Sequence, residues 1–187
     1  MSQGIEEGIE ESIKVVRARF REGRCHHVVM PELVAEDRTA AMRAQLDEVG
    51  FAPFYEPDRG RYEINRELAA PELFEELREL VEHIVERPVQ VGPAHWLRLR
   101  HRDYALLKGD AKTRAPGKHI EVTLDFSERA TEQAEIVYTD GGESWVVSQL
   151  PGSLAVVERD TWLYRYERYL DHRVTDGSIY RLRLALL

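Results

Sequence analysis

Cysteine is nearly absent from this chain of 187 residues, where Cys25 stands alone. No internal disulfide can form, which excludes a small bridge-stapled fold and points to a reducing compartment. Long apolar runs are missing as well. No stretch approaches the ~20 residues that span a bilayer. The opening "MSQGIEEGIEESIKVVRARF" is acidic where a secretory leader is basic and then apolar. A cytoplasmic protein with no membrane partner is the expectation. Lysine is scarce, confined to Lys14, Lys108, Lys112 and Lys118. The formal net charge is −8, so no overall basic surface exists and no nucleic-acid partner is expected.

What is present suits a folded domain. Hydrophobic residues make up 43% and charged residues 32%, enough apolar surface to bury a core. There is no linker and no internal repeat, so residues 1–187 are read as one domain, with 1–88 a helical support and 89–187 a β core. Ile5, Ile9, Ile13, Val16 and Phe20 recur at helical steps. "PELVAEDRTAAMRAQLDEVGF" puts Leu33, Met42, Leu46 and Val49 on a second helix with Gly50 as its stop. A third begins at Pro71, buries Leu73, Phe74, Leu77, Leu80, Val81, Ile84 and Val85, and ends before Pro88, with His83 a helix-surface or interface residue. "FAPFYEPDRGRYEIN" is a loop or short hairpin.

After Pro88 the period changes to two. Seven or eight short runs, among them "HWLRLRH", "HIEVTLDFS", "AEIVY", "GSLAVVER" and "SIYRLRLALL", predict an antiparallel sandwich or barrel. "YTDGGES" reads as a tight hairpin, because Asp-Gly-Gly tolerates positive φ. The fold class is therefore mainly β with N-terminal helices, α+β.

The chemistry-bearing residues cluster in two places. "HRDYALLKGDAKTRAPGKHIEVTLDFS" holds three of the four lysines, and "YLDHRVTDGSIYRLRLALL" sets a histidine nine residues before an arginine on the last strand. Together with "PGSLAVV", these runs resemble the double-stranded β-helix (jelly roll, cupin-like) of 2-oxoglutarate- and Fe(II)-dependent oxygenases of the prolyl-hydroxylase-like kind, over about residues 96–187. What the resemblance implies is a metal site and a cosubstrate site. Asp103 and Tyr104 fall on the family's Asp-aromatic pair, Asp110 on the carboxylate ligand, His172 on the distal histidine and Arg181 on the arginine that grips 2-oxoglutarate. Arg183 lies two residues on and shares that strand face. Fe(II) and 2-oxoglutarate are the implied cofactors, with a small molecule or a protein side chain as substrate.

The departure is at the first histidine ligand, where this chain has Lys108. Non-heme iron suits two imidazoles and one carboxylate, whereas an ammonium has no lone pair to give. Deprotonating it costs about 4.6 kcal/mol at pH 7, roughly a thousandfold in metal affinity. Left protonated about 5 Å from a divalent ion, it repels by roughly 6–7 kcal/mol at an effective dielectric of 20. A second triad is available in His119, Glu121 and His172, since His119 and Glu121 share one strand face. Strand parity speaks against it. If Ile120, Val122, Leu124 and Phe126 face the core, His119 and Glu121 point outward. Two functions follow: an oxygenase of that family, or a metal-free pseudoenzyme of the same fold that binds a carboxylate ligand or a protein partner.

The remaining candidates have plainer readings. Arg181 and Arg183 alternate with leucines and suit the polar face of a half-buried strand. "YRYERY" is ordinary strand patterning that can line a pocket. Cys25, His26 and His27 are read as structural. Lys112, Arg114 and Lys118 form a basic loop, either solvated or drawing an anionic substrate to a pocket mouth.

Overall fold

The computed structural model describes residues 3–106, 117–131, 135–170 and 177–187, with side chains from Ser12 onward. Three helices are described: α1 (Gln3–Phe20), α2 (Glu36–Val49) and α3 (Pro71–Val85). The strands are β1 (His27–Met30), β2 (Ala52–Glu56), β3 (Gly60–Asn65), β4 (Val91–Leu99), β5 (Tyr104–Ala105), β6 (His119–Asp125), β7 (Glu135–Thr139), β8 (Ser144–Ser148), β9 (Leu154–Arg159), β10 (Tyr164–Glu167) and β11 (Ile179–Leu186). Among the described residues no helix is long and apolar enough to cross a membrane.

α3 matches its sequence pattern closely. Proline occupies the first turn, where its missing N–H is no loss. Leu73, Leu77, Val81 and Ile84 are buried, while His83 is exposed, with Nδ1 2.7 Å from the Glu79 carbonyl. α2 begins later than its pattern suggests. Leu33 lies before it and is 42% exposed, and Val49 is 51% exposed, so Met42 and Leu46 carry the packing. Gly50 ends the helix at φ 83°, a conformation that favours glycine. The stretch between α2 and α3 is the β2–β3 hairpin.

All strand pairs are antiparallel and form one continuous sheet, in the order β1-β9-β6-β11-β4-β3-β5-β10-β7-β8, with β2 beside β3. The sheet folds back on itself. β10 and β7 touch β6 and β11 through side chains although they are not neighbours in the ladder. The result is a nearly closed, barrel-like double-stranded β-helix with the helices packed on one wall.

That arrangement gives β6 two buried faces. Ile120, Val122, Leu124 and Phe126 face the helices, in a core with Phe20, Leu46, Leu77, Val81, Trp96 and Leu182. Trp96 is fully buried there, 5.6 Å from the Phe126 ring, and its Nε1 donates to the Leu68 carbonyl at 2.9 Å. His119, Glu121, Thr123 and Asp125 are buried on the other face, inside the barrel. The outward placement expected for His119 and Glu121 is therefore corrected. The apolar set does face a core, but the polar set faces a second interior. Two smaller apolar clusters border that interior: Tyr62, Ile64, Leu97, Leu99, Leu170 and Ile179 on one side, and Cys25, Ile136, Tyr138, Val147, Val157 and Leu163 on the other. Trp145 and Trp162 lie against the second side, 6.4 Å apart, with the Arg24 guanidinium 5.4 Å over Trp162.

Candidate functional site

β11 alternates Tyr180, Leu182 and Leu184 toward the helices with Arg181 and Arg183 toward the barrel interior. Both arginines are buried, Arg181 to 1% exposure. A solvated polar face is thus excluded for them. A buried guanidinium needs partners, because desolvation outweighs an unanswered charge. Arg181 Nε donates to Asp125 Oδ2 at 3.3 Å, and its Nη1 donates to Glu167 Oε2 at 3.2 Å. Arg183 Nη2 donates to the other oxygen of Glu167. Asp125 comes from the neighbouring strand, opposite Arg181 in register, and Glu167 reaches across from β10.

A second set of charges lies alongside. Glu121 accepts from Arg159 Nη1 at 3.0 Å, from Arg165 Nη1 and from the Tyr138 hydroxyl at 2.6 Å. Arg159 is fully buried, with its guanidinium 5.2 Å over the Tyr138 ring. Burial pushes the Glu121 and Glu167 carboxyls up, but the arginines around them more than reverse it and hold both below the usual carboxylate range. Burial and the Glu121 charge push the Tyr138 phenol well above its ordinary value. His95, opposite Arg183 in register, is pushed down to about 3, first by burial and then by Arg183 and Arg165. It is neutral at pH 7.

Several buried polar atoms have no hydrogen-bond partner among the described residues, and two of them face each other here. Thr123 Oγ1 and Arg183 Nε are buried without a hydrogen-bond partner, on residues opposite each other across β6 and β11. Buried polar atoms are ordinarily answered by protein groups, water or an ion, so each of these is a place where a polar group can be received. Tyr104 sits apart from them on β5, half-buried, its hydroxyl 3.4 Å from the Pro57 carbonyl. Asp103 is buried, accepts from the Arg100 amide at 2.8 Å and lies 3.4 Å from Arg61.

Solved structures share this architecture. A prolyl hydroxylase from Trichoplax adhaerens, in complex with a hypoxia inducible factor oxygen degradation domain peptide fragment, superposes with a TM-score of 0.71 at 9% identity, covering 100% of this chain and 94% of its own. An oxidoreductase of the 2OG-Fe(II) oxygenase family from Burkholderia pseudomallei gives 0.70 at 14% identity, over 92% and 90%. The chain has the 2OG-Fe(II) oxygenase fold. HygX from Streptomyces hygroscopicus, with nickel and 2-oxoglutarate bound, gives 0.58 at 12% identity, over 86% and 82%. No family model and no curated protein matches the sequence.

Within this oxygenase fold the sequence candidates separate into two groups. Lys108, Asp110 and His172, and with them Lys112 and Arg114, lie outside the described residues. Arg181 and Arg183 share the interior with His119 and Glu121. Glu121 is already held by two guanidinium groups and a phenol. Among the described residues no group of three or more His, Cys, Asp or Glu could hold a metal ion. For Lys108 to join Asp110 and His172 around Fe(II), its ammonium must first lose a proton, which weakens iron binding. Thr123, Arg181 and Arg183 carry hydrogen-bond donors on the barrel side of β6 and β11, with Thr123 opposite Arg183 in register.

Cys25 is buried, and burial pushes its thiol up to about 11. His26 pairs with Glu158 at 3.0 Å, His27 Nδ1 lies 2.8 Å from the Cys25 carbonyl, and Lys118 pairs with Glu158 at 3.3 Å. Sequence reasoning missed Arg159, Arg165, Glu167, Asp125 and His95. The available signal was charge among residues too apolar for a wet surface, at every second position in "YRYE" and at the end of the apolar run "LAVVER".

Proposed function

We propose that this protein is a pseudoenzyme on the 2OG-Fe(II) oxygenase fold, whose barrel binds a carboxylate without metal-dependent turnover. The observation that carries the reading is the pair of orphaned donors, Thr123 Oγ1 and Arg183 Nε, beside the buried Arg181 guanidinium. A carboxylate accepts from all three, and in a dry interior such charge-assisted hydrogen bonds are about twice as strong as neutral ones. 2-Oxoglutarate and its relatives are the ligand class the resemblance implies. With iron, 2-oxoglutarate would supply two electrons as it loses carbon dioxide, and Lys108 stands against that chemistry. Lys108 and Arg181 are then cationic handles rather than parts of a redox centre.

A second reading, an active oxygenase, is favoured by the retained spacing of Asp110, His172 and Arg181. Its metal would rest on Asp110 and His172 with a neutral Lys108. Two measurements divide the readings. Under the first, native protein in chelator binds 2-oxoglutarate by calorimetry and loses that binding in Arg181→Met. It takes up Fe(II) or Mn(II) weakly, and Lys108→His raises metal affinity by up to about a thousandfold, the proton cost removed. Iron-dependent consumption of 2-oxoglutarate by native protein would sink the pseudoenzyme reading.

A further inference from the structure

Glu167 has no role in the reading above, yet it touches both arginines of the grip. It is the last residue of β10, and the strand ladder does not require its side chain. The contact with β11 crosses the barrel between strands that are not sheet neighbours. One Glu167 oxygen accepts from Arg181 and the other from Arg183, so a single carboxylate bridges two guanidinium groups. Asp125 meets only the Nε edge of Arg181.

We propose that Glu167 is a built-in occupant of the carboxylate grip: its side chain holds, within the chain, the position an external carboxylate takes on Arg181 and Arg183, so ligand binding requires Glu167 to be displaced. This rests on the reading of Arg181 as that grip. The exchange is balanced in charge, because one carboxylate leaves the two guanidinium groups as another arrives. It is also local. The Glu167 backbone is paired with Ile136 and Ala105 and stays in the ladder, so only its side chain swings away, at a strand end followed by the exposed Arg168 and Tyr169. Burial works against ionisation of Glu167, and the three arginines around it overcome that, so the occupant is a carboxylate in charge as well as in shape.

The test removes the occupant and supplies a replacement. In Glu167→Ala, sodium acetate raises the melting temperature well beyond sodium chloride at equal ionic strength, by filling the vacated position. Native protein and Glu63→Ala, whose lost carboxylate pairs with Arg98 and Arg100 elsewhere, respond equally to the two salts. If Glu167→Ala does not fold in chloride, its refolding yield in acetate against chloride gives the same readout. By calorimetry in chelator, Glu167→Ala binds 2-oxoglutarate at least about tenfold more tightly than native protein, ~1.4 kcal/mol. Absence of any acetate-specific gain, or equal 2-oxoglutarate affinity in native and variant protein, overturns the proposal. Binding by the variant but not by native protein supports it while ending the view that the native barrel is an open carboxylate site. Equal binding by both overturns this proposal and leaves that view intact.

Discussion

A neutral imidazole beside guanidinium groups makes the stability of this protein sensitive to pH. His95 is pushed down to about 3 by burial, Arg183 and Arg165, with Arg66 adding to the effect and Glu121 opposing it. In the unfolded chain it titrates near 6.5. The folded value is the lower one, so the unfolded state takes up the proton first. The contribution is complete above pH 6.5 and is lost as pH falls from there toward 3. Urea unfolding of native protein should lose stability between pH 6.5 and 5 with a slope of at most one proton, ~1.4 kcal/mol per pH unit. His95→Gln should flatten that part of the curve while leaving the acid limb, which sets in as the unfolded chain's carboxylates take up protons around their ordinary 4.5 while Glu121 and Glu167, held lower in the fold, do not. An unchanged slope in the variant would assign the loss to other groups. The residues behind this behaviour were individually visible in the sequence as strand charges. Their partnership was not, because Glu167 and Arg181, or Arg165 and Glu121, meet only when the sheet closes.

At the scale of elements, β6 shows how much the pattern could carry. Alternation correctly grouped Ile120, Val122, Leu124 and Phe126 on one face, and its period of two is a property of any strand. It could not say that the opposite face is also enclosed, because that depends on β7 and β10 lying over β6 from later in the chain. The helices were easier to read, since the period and the proline and glycine stops of α3 and α2 are local. The turn between β8 and β9 joins the two levels. Gly152 has φ 74°, its amide donates to the Asp125 carbonyl at 2.9 Å, and a Cβ there would lie 2.6 Å from the Val34 carbonyl oxygen. Ser153 in turn accepts from the Asp125 amide at 3.0 Å, so this turn holds the end of β6 from which Asp125 faces Arg181. Gly152→Ala should cost about 1–3 kcal/mol in urea unfolding, the usual range for a strained backbone position. A cost within error of zero would show that Val34 moves freely and that the turn does not anchor β6.

At the scale of the whole molecule, the chain keeps its oil and its charge on opposite sides of one wall. The helix-facing side is mostly apolar, with Arg98 paired to Asp47 and Glu63 at its edge, and the barrel side carries the larger arginine and carboxylate cluster. The three tryptophans sample both sides unequally. Trp96 is enclosed between the helices and the sheet, whereas Trp162 is 36% exposed at the far side beside Trp145. Intrinsic fluorescence therefore carries two separable signals. Iodide should quench only the long-wavelength part of native emission and leave a blue-shifted fraction that Trp96→Phe removes. Mild denaturant that lifts the helices should expose that fraction before the red part changes. A single quenching class in native protein would contradict this. A worker following ligand entry by light thus has an internal reference on one side of the wall and a free observer on the other, with no dye to attach.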